Sequence, residues 1–340
     1  MKKVLSIILL AALLATLLVG CADSPQQPQT PPPANPADPP ADEPETPADP
    51  DDTQDEGPVF LIGINNYGLA NFFARIGKDT MESEITRLGH QYTATVTADV
   101  LSRTAAIEAM IAQGVDAIII QEGDIEEVGP ALMEAQARGI IIASLGGGDA
   151  DFLDLYVASD EYDLGRAAAE QLVHFMGEEG RIIEIYHDAA QFIRERRRAL
   201  HDVVEEHPGI SIEWGYIYAW PDFFPDVKSK TESVIQANPN PGDITGVFSV
   251  FDGGGVAAAS AFREAGLTAH VTIVGIDGDP DAYSEMLLPD SPFKATVAQD
   301  PEAMAIQVVQ GVIDLLNGED VPSRIFVPAF VVTKDNIPEH

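Results

Sequence analysis

Short apolar runs and amphipathic stretches alternate along the chain from Val59 onward. The runs are almost continuously apolar, which is typical of parallel strands that helices cover on both faces. They occupy residues 59–64, 117–120, 140–143, 182–186, 212–218, 246–250, 271–276 and 295–298, and helices are predicted at 73–88, 104–113, 126–138, 162–176, 192–206, 224–237, 256–265 and 302–316. An alternation sustained over roughly 280 residues predicts a doubly wound α/β architecture.

Glycine follows six of these predicted helices, where a left-handed residue commonly ends a helix. The six are Gly89, Gly114, Gly139, Gly177, Gly266 and Gly318. Because the strands outnumber those of one small open sheet, we predict two α/β lobes, each with a parallel sheet. Ligands of such sheets bind beyond the carboxyl ends of the strands. The residues that directly follow each apolar run are therefore the candidate ligand contacts.

Residues 1–21 have the features of a signal peptide. Lys2 and Lys3 precede an apolar stretch of about sixteen residues, which is short for a membrane span. The stretch ends in the sequence LVGC, which resembles a lipobox, and its Cys21 is the only cysteine of the chain. We predict a lipoprotein signal peptide, with lipid on Cys21 anchoring the mature chain to the extracytoplasmic face of the cell membrane. An ordinary signal peptide with a chance cysteine is the alternative.

The segment that follows, residues 22–58, contains 12 Pro and 10 Asp or Glu, without Lys, Arg or an aromatic residue. Such a composition cannot bury enough apolar surface to fold, so we predict a disordered tether. The whole chain has 19 Lys or Arg against 55 Asp or Glu, a formal net charge of −36. A protein this negative repels phosphate backbones, which excludes nucleic acid as a partner.

The sequence offers little for catalysis or metal binding. It contains no G-x-S-x-G motif, its one cysteine is assigned to lipidation, and its seven His do not stand at metal-ligand spacing. Asp277, Asp279 and Asp281 resemble the start of a calcium loop, but Ala282 and Leu288 stand where that loop needs Gly and Glu. We predict a binding protein without metal or cofactor, and an enzyme is the weaker alternative.

Aromatic, amide and charged residues follow the predicted strands. Aromatic rings pack on the C–H-rich faces of sugars, and Asp, Asn, Gln and Arg bind hydroxyl groups directionally, so this mixture favours a small sugar-like ligand. Within the basic cluster at 194–198, residues 196–198 cannot form one patch, since successive helical residues point about 100° apart. We interpret Arg194 as a candidate ligand group and the other arginines as mostly solvated. The candidate contacts are Asn71, Phe72, Phe73, Leu145, Arg194, Trp220, Phe251, Asp252, Asp277 and Gln299.

Several of these segments resemble, in the same order, the motifs of the ribose-type (type I) periplasmic sugar-binding proteins. The similarity covers nearly all of residues 59–335. The motifs are NFF at 71–73, GVD at 114–116 before a strand, ASD at 158–160, RER at 194–196, VGIDG at 274–278 and ATVAQ at 295–299.

This resemblance implies two lobes that are joined by three chain crossings and close on a ligand between them. It implies an N-terminal lobe of residues 59–159 plus 300–322 and a C-terminal lobe of 160–299 plus 323–340. It further implies that Phe72, Phe73 and Trp220 pack on the sugar, and that Arg194, Asp277 and Gln299 bind its hydroxyls. The implied partners are a sugar-like solute, the permease of an ABC importer and the membrane that holds the anchor, with the protein itself a monomer.

Two positions depart from the family's usual pattern. Leu145 and Gly146 stand where Asp-Arg is common, and Phe251 stands where Asn is common before Asp252. We therefore expect an apolar or aromatic portion of the ligand beside Leu145 and Phe251. A sensory ligand-binding lipoprotein that presents its closed form to a membrane receptor is the alternative to a transport role.

Overall fold

The computed structural model describes residues 57–188 and 190–338. The predicted signal peptide with Cys21, and residues 22–56 of the predicted tether, lie outside the described residues. The strands in the described part are β1 (Leu61–Tyr67), β2 (Gln91–Thr97), β3 (Ala117–Gln121), β4 (Ile141–Leu145), β5 (Leu155–Ala158), β6 (Gly180–Tyr186), β7 (Ile210–Ile217), β8 (Gly246–Ser249), β9 (Thr272–Asp277), β10 (Phe293–Ala298), β11 (Arg324–Phe326) and β12 (Phe330–Thr333). The α-helices are α1 (Phe72–Arg87), α2 (Val100–Gln113), α3 (Gly129–Ala137), α4 (Glu161–Met176), α5 (Gln191–Glu206), α6 (Phe223–Ala237), α7 (Asp252–Glu264), α8 (Pro280–Leu287) and α9 (Pro301–Leu316).

The first lobe is built on a six-stranded parallel sheet with the order β11-β5-β4-β3-β1-β2. Its strand β3, of sequence AIIIQ, is buried along its whole length. Ile119 packs in a cluster with residues of α1 and α9, whereas Ile118 and Ile120 pack with residues of α2 and α3. Because successive side chains of a strand point to opposite faces, covering both faces requires the unbroken apolar run seen in the sequence.

The second lobe has a six-stranded sheet with the order β12-β10-β9-β8-β6-β7. Its strands are parallel except for β12, which pairs antiparallel with β10. One core cluster includes Leu172 of α4, Phe248 of β8 and Phe262 of α7. The predicted architecture of two doubly wound α/β lobes is confirmed.

The chain passes between the lobes three times. It crosses after β5, where α4 packs on α5 of the second lobe, after β10, where α9 packs on α1 of the first, and finally between β11 and β12. The last crossing differs from the predicted boundary, which assigns residues 323–340 to the second lobe. Instead, β11 pairs in parallel with β5 of the first sheet. The apolar pattern does not predict β11, because this strand has only three residues and begins with an arginine.

The ends of the helices follow the sequence signals closely. All six glycines predicted to follow helices have positive φ, between 70° and 85°. The elements that the apolar pattern does not anticipate are short or lie at sheet edges: β2, β5, α8, β11 and β12. No helix in residues 57–188 or 190–338 has the length and apolar character needed to cross a membrane.

Candidate ligand-binding site

A cavity of about 300 Å³ lies at the carboxyl ends of strands from both sheets. This volume is at the lower end of the range for small-molecule pockets, roughly 300–1,000 Å³. The location agrees with the general rule for doubly wound sheets. The first lobe contributes Tyr67, Asn71, Phe73, Asp99, Glu122, Asp124, Glu127 and Gly146, and the second contributes Glu161, His187, Phe192, Arg196, Tyr218, Trp220, Phe251, Asp277 and Gln299.

The structure brings together most of the predicted contact residues, but not all of them. The predicted residues that line the cavity are Asn71, Phe73, Trp220, Phe251, Asp277 and Gln299. Those that do not line it are Phe72, Leu145, Arg194 and Asp252. The local geometry explains why each of these four side chains lies away from the cavity.

Asn71 orients the start of α1 toward the cavity. Its Oδ1 accepts a hydrogen bond from the backbone N of Ala74 at 2.7 Å, which caps the helix, and its Nδ2 donates to Glu122 at 2.9 Å. Phe73 is buried and lines the cavity, whereas Phe72 is half-buried and lies outside it. Because neighbouring residues on a helix point about 100° apart, the two rings cannot share one wall.

Leu145 is fully buried in the core of the first lobe rather than at the cavity wall. Gly146, the residue that follows it, lies at the wall with φ of 60°. A Cβ atom at this glycine would lie 2.7 Å from the ring of Phe73, so only glycine lets that ring approach the backbone. Since side chains alternate along β4, its last side chain points into the core, and Leu145 does not line the cavity in which it was expected to contact a ligand.

Arg194 and Arg196 have the reverse of the positions predicted from the sequence. The side chain of Arg194 is 42% exposed, and its Nη2 lies 3.4 Å from Oδ2 of Asp124 at the rim between the lobes. Arg196 is buried and lines the cavity. Arg196 follows Ile193 by three residues and precedes Leu200 by four, and both are buried. This helical spacing is the sequence signal that would have identified it as the inward-facing arginine.

Arg196 binds two buried carboxylates. Its Nε donates to Glu161 at 2.6 Å, and its Nη1 donates to Oδ1 of Asp277 at 3.1 Å and to the backbone O of Val250 at 2.7 Å. Gln299 donates to the same oxygen of Asp277 at 2.9 Å. Burial raises the pKa of Glu161 and of Asp277, and the guanidinium opposes this effect. Burial also disfavours the charged arginine, but the two carboxylates outweigh it and raise the pKa of Arg196.

Asp252 supports the loop that carries Asp277 instead of lining the cavity. Its Oδ2 accepts hydrogen bonds from the backbone N of Gly278 and of Asp279, both at 2.8 Å, and from Oγ1 of Thr296 at 2.9 Å. Asp277 and Gly278 both have positive φ, 115° and 77°. Burial raises the pKa of Asp252 well above its usual range. We interpret Asp252 as a positioning residue that stabilises this left-handed turn.

Glu122 lines the wall and directly follows the apolar strand β3, but it is not among the contacts predicted from the sequence. It has φ of 54° and is 8% exposed. One carboxylate oxygen accepts the hydrogen bond from Asn71, and Arg103 donates to its backbone O at 2.6 Å. Burial raises the pKa of Glu122 to about 7, even though the Asn71 hydrogen bond favours the charged form.

Aromatic rings cover much of the remaining wall. The ring centroids of Tyr218 and Phe251 are 4.8 Å apart, and Phe223 supports Phe251 from behind at 4.9 Å. Trp220 stacks on Phe223, with centroids 5.9 Å apart. A Cβ at Gly68 of the first lobe would lie 3.4 Å from Nε1 of Trp220, so the two lobes meet at this indole. Ring faces beside convergent donors and acceptors suit a small polar molecule with C–H-rich faces.

No group of three or more His, Cys, Asp or Glu within the described residues could hold a metal ion.

Comparison with known proteins places the chain among solute-binding proteins. The model of the periplasmic binding protein domain matches residues 62–320. The ribose import binding protein of Bacillus subtilis is 26% identical over 280 residues, which are 81% of this chain and 88% of the relative. A solved ABC transporter solute binding protein from Agrobacterium vitis with bound allitol has a TM-score of 0.78 and 27% identity, covering 82% of this chain and 96% of that one. An ABC sugar transporter subunit from Rhodobacter sphaeroides has a TM-score of 0.78 and 26% identity, covering 82% and 99%.

Proposed function

Because the chain belongs to the periplasmic binding protein family, we propose that it captures a small sugar or sugar-like solute between its lobes and delivers it to an ABC importer. The observation that carries this proposal is the cavity at the carboxyl ends of both sheets, where aromatic rings surround Arg196, Asp277 and Gln299. The Bacillus subtilis relative is named for ribose import, and the Agrobacterium vitis protein holds allitol, a polyol.

In this proposal the polar groups of the cavity bind hydroxyl groups and the rings pack on the carbon skeleton. Arg196 donates, the carboxylate of Asp277 accepts, and the amides of Asn71 and Gln299 can do both. Phe73 contributes a ring from the first lobe and Phe251 one from the second. We still expect an apolar or flat portion of the ligand beside Phe251, whereas Leu145 no longer supports that expectation.

Two contacts at the rim support closure of the lobes around the solute. Arg194 of the second lobe lies 3.4 Å from Asp124 of the first. The backbone N of Asp149 in the first lobe donates to Oε1 of Gln191 in the second at 2.9 Å. In this mechanism, a bound solute contacts both lobes and stabilises the closed arrangement in which these pairs form. The permease then distinguishes the closed form from the open one.

The site of action in this proposal is the extracytoplasmic face of the cell membrane. The LVGC sequence that ends at Cys21 supports lipid attachment, and a diacylated cysteine supplies two chains, enough for stable anchoring. In this proposal the Pro-rich, acidic segment 22–58 is the tether between the lipid anchor and the lobes.

Calorimetry with the purified chain tests the binding function. The panel contains pentoses, hexoses, linear and cyclic polyols, and their amino derivatives. We expect at least one member to bind with micromolar affinity or better.

Arg196→Lys, which loses the planar fork that holds two carboxylates, should weaken that binding by about tenfold or more. The matched control is Arg198→Lys on the same helix, whose side chain is 57% exposed and pairs with Glu195, and it should bind within about twofold of wild type. Failure of the whole panel to bind, or equal binding by the two variants, would contradict the proposal.

A further inference from the structure

The cavity wall carries a strong excess of negative charge. In the described part of the chain it includes a single guanidinium, that of Arg196. The carboxylates at the wall are those of Asp99, Glu122, Asp124, Glu127, Glu161 and Asp277. Donors and acceptors in mixture are enough to bind a neutral sugar, whereas carboxylates that no cation balances add a negative potential that favours a positively charged group.

Ion pairs account for only half of these carboxylates. Arg196 pairs with Glu161 and Asp277, and Asp124 pairs with Arg194 at the rim. Within residues 57–188 and 190–338, no Lys, Arg or His forms a salt bridge with Asp99, Glu122 or Glu127. Asp99 accepts hydrogen bonds at the start of α2, and Glu127 is exposed at the cavity mouth. Among the carboxylates that the described residues place at the wall, Glu122 is therefore the buried one without an ion-pair partner.

The backbone holds Glu122 at the wall in an unusual conformation. Glu122 and Gly123 both have positive φ, 54° and 72°. A left-handed conformation is uncommon for a residue with a long side chain and persists where the surrounding structure maintains it. The hydrogen bond from Arg103 to the backbone O of Glu122 contributes to this. Among the described residues, the hydrogen bond from Asn71 is the only one that its carboxylate receives, so the other oxygen is available to a ligand.

We propose that the solute carries a protonated amine, and that Glu122 binds this amine while the aromatic wall packs on the rest of the molecule. The inference rests on the proposed sugar-binding function and narrows it to amino sugars, amino cyclitols and aminated polyols. An ammonium group would pair with the buried carboxylate, and Trp220 of the same wall is the side-chain type that attracts cations most strongly.

The raised pKa of Glu122 agrees with a buried carboxylate that has no cation in direct contact. Burial raises its pKa to about 7 in the absence of a solute, with Asp277 adding to the increase and Asn71, Arg196 and Arg103 opposing it. A cation beside the carboxylate favours its charged form and would lower this pKa. Binding of the amine should therefore release protons near pH 7, because the carboxylate loses its proton on forming the pair.

Matched ligand sets test the inference by calorimetry. The first set is glucosamine, N-acetylglucosamine and glucose, in which acetylation keeps the substituent and removes the charge. The other sets are scyllo-inosamine with scyllo-inositol, and glucamine with sorbitol. We expect the amine of at least one set to bind about tenfold or more tightly than its neutral counterparts. If the neutral members bind as tightly or more tightly in every set, the inference fails and the sugar-binding function stands. If no member of any set binds, the proposed function fails as well.

A pair of variants then tests the role of Glu122 itself. Glu122→Gln keeps the size of the side chain and removes its charge, so it should reduce the preference for the amine to about twofold or less. Glu126→Gln removes the same charge from an exposed neighbour outside the cavity and should leave the preference unchanged. An amine preference that survives in folded Glu122→Gln would overturn the assignment to this residue. If that variant does not fold, the preference of the wild-type chain in the matched sets still decides the proposal.

Discussion

Nη1 of Arg196 lies 3.1 Å from Oδ1 of Asp277, although 81 residues separate the two in the sequence. The same guanidinium donates from Nε to Glu161 at 2.6 Å. One cation therefore compensates two buried carboxylates, one at the start of α4 and one at the end of β9. This arrangement couples the stability of the second lobe to the geometry of the cavity wall.

Loss of Arg196 should be strongly destabilising. Arg196→Ala leaves Glu161 and Asp277 buried without their cation, and removing one partner of a buried ion pair costs about 3–5 kcal/mol. Arg194→Ala removes a partly exposed arginine that pairs with Asp124 at 3.4 Å and donates to the backbone O of Asp188 at 3.3 Å, and it should cost about 0–1 kcal/mol. Chemical denaturation of the ligand-free variants measures both. Equal free energies of unfolding in the two variants would show that the Arg196 ion pairs do not stabilise the lobe.

The glycine at position 146 should be required for ligand binding. A Cβ there would lie 2.7 Å from the ring of Phe73, so Gly146→Ala must displace this ring from the wall, and we expect binding to weaken by about tenfold. The control is Gly89→Ala. Gly89 has φ of 83° and open space around its Cβ position, so it suffers backbone strain of about 1–2 kcal/mol without a collision. Comparable affinities in the two variants would mean that the position of the Phe73 ring does not matter.

The stability of the ligand-free protein should depend on pH through Glu122. Burial raises the pKa of this carboxyl from 4.5 to about 7, so the folded chain keeps a proton that the unfolded chain loses. The resulting stabilisation is present below the unfolded value and is lost as the pH rises through about 4.5 to 7. Glu122→Gln should therefore gain stability relative to wild type between pH 4.5 and 8, by on the order of 3 kcal/mol at most.

Denaturation at pH 5 and pH 8 measures this difference. Glu126→Gln is the control, because the same charge is removed from an exposed position and its stability relative to wild type should hardly change with pH. A difference between wild type and Glu122→Gln that is the same at both pH values would contradict the shifted pKa.

Membrane attachment should depend on Cys21, the only cysteine of the chain. Cys21→Ser removes the thiol that we propose to carry the lipid, so the protein should leave the membrane fraction while its ligand affinity stays within about twofold of wild type. Cell fractionation and calorimetry measure the two properties. A variant that still sediments with membranes would exclude lipidation at this position.

The sequence by itself determined the architecture of this protein. Successive side chains of a strand point to opposite faces of the sheet. A strand such as β3, which helices cover on both faces, therefore needs an unbroken apolar run. Glycines such as Gly114 and Gly177 end helices because glycine adopts the left-handed conformation without a steric penalty. In this architecture ligands bind at the carboxyl ends of the strands, and the position of the cavity could therefore be predicted from the sequence.

The tertiary structure decided which side chains reach the cavity, although the spacing of Arg196 from Ile193 and Leu200 already indicated the inward face of α5. Arg196 rather than Arg194 faces inward because the packing of α5 on α4 and on the sheet sets the rotation of the helix. Gly146 rather than Leu145 lies at the wall because β4 ends with its last side chain in the core. Position along the chain identifies a strand end, but the direction of a side chain at that end depends on contacts with residues far away in the sequence. For the same reason, the absence of an ion pair at Glu122 depends on which residues of the two lobes meet at the cavity wall.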